Sequence, residues 1–195
     1  VFGLLERGPA YSNLGAIGDA SAIEQFLVSF LVIGPVEELA KLIPLFIWLR
    51  WSRVIDEPMD GLVYAAAAAL GFATIENWVF MLRVDEPVWS RALTLPVLHV
   101  LFSSFWGFGL GLAWAPRGQP SHGPGATALY PRPRASRRYA LTGLFLAIAF
   151  HGLYDYVVFA KDVPDWALLP LVLVLWLWLS RATRWADRNS PFKKA

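Results

Sequence analysis

Cysteine is absent from all 195 residues, which excludes disulfides, thiolate metal sites and a cysteine nucleophile. Any metal would have to be held by His, Asp or Glu. Charge is scarce as well: Asp, Glu, Lys and Arg make up 16% of the chain, where soluble domains carry about 25%. No internal repeat stands out. No signal peptide of the usual layout opens the chain, which begins at Val1 and not Met. The expectation is of a trimmed chain, or of one lacking earlier spans.

What is present is apolar. The hydrophobic fraction is 56% and the mean hydropathy +0.47, the balance of a polytopic membrane protein and not of a globular enzyme. The pI of about 9.1 does not point to nucleic acid, because the basic residues lie between apolar runs, as a topology signal does. The expected fold is all-α, a polytopic transmembrane helical bundle of about five spans at 22–49, 60–82, 92–115, 139–160 and 166–181. Residues 1–21 read as an extracytoplasmic or interfacial segment, 116–138 as a Pro/Gly/Arg-rich loop and 182–195 as a basic tail. Twelve Lys and Arg fall in 50–59, 116–138 and the tail, against four on the other side. The positive-inside rule therefore places that loop and the C-terminus in the cytoplasm of a multi-pass protein of the inner membrane, with lipid as its surroundings.

The first span holds Glu37, Glu38 and Lys41 in a segment otherwise apolar from Phe26 to Leu49. Each such charge costs roughly 2.5–3.5 kcal/mol near a bilayer centre, which makes intramembrane ionisable residues functional candidates. Gly34-Pro35 followed by two acids is also how an ordinary helix begins, and Lys41 could simply pair with either Glu. Pro35 is expected to kink or open the helix beside the acids. Three later spans carry ionisable residues too: Glu76, His99 and His151. At about 1.5 Å of rise per residue, these and Glu37 fall in one layer, roughly 9–17 Å below the outer surface. Isolated structural ion pairs or packing histidines would have to arise independently on each helix to mimic that layer.

Imidazoles and carboxylates suit Zn²⁺, and a catalytic zinc site takes three protein ligands and a water. A spare Glu could then accept a proton. The same groups could act without metal, a Glu–His pair activating water while another donor steadies the oxyanion. Asp155, four residues after His151, could orient that ring, and Ser103 stands in the same relation to His99. Asn77, beside Glu76, could donate to an oxyanion. A proton-linked transporter or immunity-type protein could use the same residues as a relay. A scaffold built on Gly-rich helix faces would leave the four ionisable positions unexplained.

Glu37-Glu38-Leu39-Ala40-Lys41 resembles the EExxK motif of PrsW-type intramembrane proteases, and Phe72-Ala73-Thr74-Ile75-Glu76-Asn77 their FAxxEN motif. His99, after Arg91 and before Ser103, is similar to the third motif, and His151-Gly152-Leu153-Tyr154-Asp155 to the last. The wider grouping includes CAAX-processing proteases and bacteriocin-immunity-type membrane proteins, but in the CAAX branch a His stands where this chain has Glu76. The resemblance implies a membrane-embedded endopeptidase acting on a membrane protein such as an anti-sigma factor, with Glu37, Glu38, Glu76, His99 and His151 as its active-site set. In the reading that follows, Glu37 activates water, and Glu76, His99 and His151 hold zinc or, without metal, position water and oxyanion. Lys41 keeps the carboxylate pair ionised, and Asn77, Ser103 and Asp155 support the set.

Overall fold

The structure is a computed structural model that describes residues 16–52, 54–82, 89–114, 133–160, 163–190 and 192. Every element of length is helical, with no strand among the described residues. After a short 3₁₀ turn at Ala16–Asp19, the elements are α1 (Ala22–Val28), a π-helical turn (Ser29–Ile33), α2 (Gly34–Ser52), α3 (Pro58–Met81), α4 (Trp89–Trp114) and α5 (Pro133–Phe159). A second 3₁₀ turn (Asp165–Leu168) leads into α6 (Leu169–Arg188). The expected basic loop falls largely outside the described residues, as do His122 and most of the N-terminal segment.

Four stretches are long and apolar enough to cross a membrane: Pro58–Met81, Arg91–Trp114, Arg138–Phe159 and Trp166–Arg188. The helix before them, α1 to α2, is not among the four, and it carries Glu37, Glu38 and Lys41 within its length. Its start is capped: the Ser21 hydroxyl accepts from the Glu24 N–H, and the Glu24 carboxylate accepts from the Ser21 N–H at 2.9 Å. Pro35 does not break this helix. The turn before it widens instead, with the Gly34 N–H bonded to the Ser29 carbonyl five residues back. Pro44 and Pro96 also lie inside uninterrupted helices, a tolerance seen in membrane helices.

The bundle is built around α4. Of its apolar stretch 78% is buried, against 11% for that of α6. Small residues let neighbours close on it. Gly61, Ala65, Ala69, Ala73 and Asn77 recur every fourth residue and form the buried stripe of α3. A Cβ on Gly107 would run into Ala65 and the Gly61 carbonyl, and one on Gly143 of α5 into the Phe105 carbonyl. Trp178 of α6 stacks on Phe105 with ring centroids 4.7 Å apart and planes 2° apart. The last helix runs on to Arg188, past the end expected at 181, because Ala182 and Ala186 pack against Leu62 of α3. Large apolar side chains such as Leu31, Ile47, Ile75, Leu93, Phe145 and Leu173 point outward, as a lipid-facing surface requires.

Candidate functional site

The site residues come from four helices: Glu37 and Glu38 from α2, Glu76 from α3, Arg91 and His99 from α4 and His151 from α5, brought together where those helices pack closely. The π turn packs directly on α5: a Cβ on Gly152 of α5 would lie 3.0 Å from Phe30 and from the Ser29 carbonyl, and one on Gly34 would lie 3.0 Å from the Ile148 carbonyl. The two helices meet through these glycines, and that brings Glu37 and Glu38 to His151. Adjacent helical positions point about 100° apart, so the two glutamates have different surroundings.

Glu38 is fully enclosed. Its Oε1 accepts from Lys41 Nζ at 2.6 Å and lies 2.9 Å from His151 Nδ1. Its Oε2 accepts from Ser103 Oγ at 3.1 Å and Trp106 Nε1 at 2.8 Å. Lys41 completes its surroundings with the Phe72 ring, 4.8 Å from the ammonium. Glu37 is 22% exposed, and its Oε2, 3.5 Å from His151 Nε2, has no hydrogen-bond partner.

A second carboxylate–imidazole pair lies beside the first. Glu76 of α3 bonds Arg91 of α4 through Oε1, and its Oε2 lies 3.0 Å from His99 Nε2 without the alignment of a hydrogen bond. Arg91 also covers the Phe80 ring, 4.4 Å from its centroid. The two imidazoles stand nearly perpendicular with centroids 5.3 Å apart, and Phe102 stacks on His151 at 4.8 Å. The four ionisable residues of the expected layer therefore meet.

Their partners differ from those the spacing suggests. Ser103 turns to Glu38 and not to His99, whose two ring nitrogens have no hydrogen-bond partner. Asp155 is 3.7 Å from His151 Nε2 with its Oδ2 unpaired; the ring is held instead through Nδ1 by Glu38, on the facing helix. Asn77 is buried on the same stripe of α3 that packs against α4. Trp106 and Phe102 were not anticipated. Their signal was present, because 99, 103 and 106 follow the i, i+4, i+7 spacing of one helix face, with 102 beside them.

Among the described residues, Glu37, His99 and His151 form a group whose ligand atoms all lie within 4.8 Å of one another. Glu76, expected in the metal set, is outside that group, its Oε1 engaged by Arg91. Two imidazoles and a carboxylate form one of the sets that hold catalytic metal with a position left open. Buried polar atoms without partners are rare in finished interiors, yet Glu37 Oε2 and both nitrogens of His99 are such atoms. The residues present therefore fit a divalent metal.

Residues 5–180 match the family model described as PrsW family intramembrane metalloprotease. The chain is 33% identical over 151 residues to Protease PrsW of Geobacillus kaustophilus, covering 76% of this chain and 59% of that protein. It is 31% identical over 152 residues to Protease PrsW of Bacillus subtilis, covering 77% and 63%. The chain thus spans about three fifths of the length of these relatives. No solved structure matches it.

Proposed function

The chain belongs to the PrsW family of intramembrane metalloproteases, and from that premise we propose that it is an intramembrane endopeptidase. It hydrolyses a peptide bond in a membrane-embedded protein. The observation that carries this reading is the convergence of Glu37, His99 and His151, with Glu37 Oε2 and both His99 nitrogens buried and without hydrogen-bond partners.

The geometry favours exchanging two roles relative to the sequence-based expectation. Glu37 joins His99 and His151 as the group that would hold the metal, and Glu76 becomes the general base. Supporting the exchange, Glu76 has one oxygen anchored by Arg91 and the other beside His99 Nε2 without a hydrogen bond. Zinc suits a two-His, one-Glu set; when bound, it would polarise the scissile carbonyl and make a water easier to deprotonate. Glu76 Oε2 takes the proton as the water oxygen attacks the carbonyl carbon, then returns it to the leaving nitrogen as the C–N bond breaks. Arg91 keeps that carboxylate aimed throughout.

Access follows from exposure. Glu37, Glu76 and Arg91 are 22%, 27% and 22% exposed, while Glu38 is sealed. A substrate segment therefore enters past Glu37 and Glu76, from the side bordered by α2, α3 and the start of α4. The proposal places the protein in the cytoplasmic membrane of a bacterium, with the Arg-rich 116–138 segment and the C-terminus inside. It takes as substrate a single-span protein of the anti-sigma-factor type, and keeps the wider kinship with CAAX-processing proteases that the motifs imply. The relay or immunity reading is not favoured, because the relatives are named proteases.

The test is cleavage of a single-span peptide by the protein reconstituted in liposomes, alongside elemental analysis. Wild type should cleave and carry about one zinc per chain, as a single site requires; His99→Ala/His151→Ala should lose both. If the inserted, folded wild type cleaves nothing, the protease reading is wrong; if Glu76→Gln, His99→Ala and His151→Ala all cleave as wild type does, the site assigned here is wrong.

A further inference from the structure

We propose that Glu38 is a positioning residue and not a participant in bond cleavage: it holds His151 as the Nδ1–H tautomer with Nε2 turned into the site, and Lys41, Ser103 and Trp106 hold Glu38. A carboxylate offers about four lone-pair positions. All four are occupied here, by Lys41 Nζ and His151 Nδ1 on Oε1 and by Ser103 Oγ and Trp106 Nε1 on Oε2. No position is left to accept a proton from water.

The same contacts fix the proton on the ring. Lysine and tryptophan only donate. Oε1 faces the first and Oε2 the second, so each carboxylate oxygen must accept, and His151 Nδ1 must be the donor across its 2.9 Å. In the neutral ring the lone pair is then on Nε2, the atom 3.5 Å from Glu37 Oε2. Phe102, stacked 17° from parallel with the ring, restrains its rotation. Carboxylates that orient a ligating imidazole through its far nitrogen act in this way. The inference thus splits the roles of two adjacent glutamates. Its kinetic readout rests on the protease reading; its spectroscopic readout does not.

The experiment is ¹⁵N-histidine NMR of the full chain in nanodiscs, paired with cleavage kinetics. There are only three histidines, so single His→Gln variants assign the signals. Wild type should show His151 protonated at Nδ1 alone. Glu38→Gln should lose that single tautomer and lower kcat about 10–100-fold, as removal of such a partner does, with KM nearly unchanged. Trp106→Phe, a milder change that keeps the carboxylate, should shift the tautomer partway and lower kcat several-fold. It carries the test if Glu38→Gln does not fold. An unchanged His151 tautomer in a folded Glu38→Gln protein would overturn the proposal. So would an unchanged tautomer and kcat in Trp106→Phe, or a Glu38→Gln protein as inactive as Glu37→Gln with its tautomer intact. If wild type cleaves nothing while the tautomer behaves as expected, the protease reading fails and the positioning role stands.

Discussion

Two carboxylate–imidazole pairs, each with its own cation, lie side by side in this bundle, and they are finished to different degrees. In Lys41–Glu38–His151 both charged side chains are sealed and every lone pair of the carboxylate is occupied. In Arg91–Glu76–His99 the cation and carboxylate are each about a quarter exposed, and Glu76 Oε2 and both imidazole nitrogens have no hydrogen-bond partner. The residue types are nearly the same, so the chemistry of the groups does not distinguish the pairs. Saturation does. On the proposed reading, the carboxylate with four donors holds the site together, whereas the one whose second oxygen makes no hydrogen bond is the one that exchanges protons with a substrate.

The largest expected effect comes from breaking the sealed pair. Lys41→Met leaves Glu38 buried without its counter-charge, and removing one partner of a buried pair costs about 3–5 kcal/mol. Thermal unfolding in detergent should show that loss, and cleavage should disappear with it. A loss below about 1 kcal/mol, the range of exposed pairs, would mean that the cluster is not the structural centre described here. Next comes the open pair. Glu76→Gln should lower kcat about 10²- to 10⁴-fold, the usual worth of a positioned general base, while the unfolding midpoint stays near wild type. A variant that unfolds early but cleaves normally would reverse the roles of the two pairs.

The sequence makes this site legible because charges inside apolar helices are costly and few. Glu37, Glu76, His99 and His151 stand out on four segments, and rise arithmetic alone puts them in one layer. Pairings within the layer depend on rotation and on backbone detail that spacing does not encode. Glu37 and Glu38 are neighbours in sequence, yet only Glu38 turns into the shell of Ser103 and Trp106. Asp155 shares a face with His151, but Glu38 reaches the ring from another helix. The widened turn at Ser29–Ile33 sets the phase of α2, and nothing in five apolar-to-polar residues announces a π turn. The continuation of α6 to Arg188 was hidden for the opposite reason: Ala182 and Ala186 pack inward among arginines that read as a tail.

Both pairs depend on how closely α3 and α5 approach α4, which gives a smaller, shared effect. Gly107→Leu inserts a side chain where a Cβ alone would meet Ala65 and the Gly61 carbonyl. Overpacking of this kind costs about 1–3 kcal/mol, and prising α3 from α4 should also displace Glu76 relative to His99. Unfolding and cleavage should therefore fall together. Undiminished stability would show that the α3–α4 contact is looser than the glycines indicate.

The smallest stability change, and the sharpest comparison, is at Arg91. Its pair with Glu76 is partly exposed, so Arg91→Gln should cost no more than about 1 kcal/mol in unfolding, as such pairs do. The rate should fall further than that suggests, roughly tenfold, because an untethered Glu76 no longer keeps its free oxygen aimed. Arg91→Lys separates charge from geometry. An ammonium keeps the positive charge but not the planar fork that stacks on Phe80 while reaching Glu76. If the Lys variant regains stability but not rate, Arg91 acts by aiming the carboxylate. If it regains both, charge alone suffices, and the open pair is a simple counter-ion arrangement. If neither variant changes the rate, Glu76 needs no anchor, and the contrast between the two pairs reduces to burial.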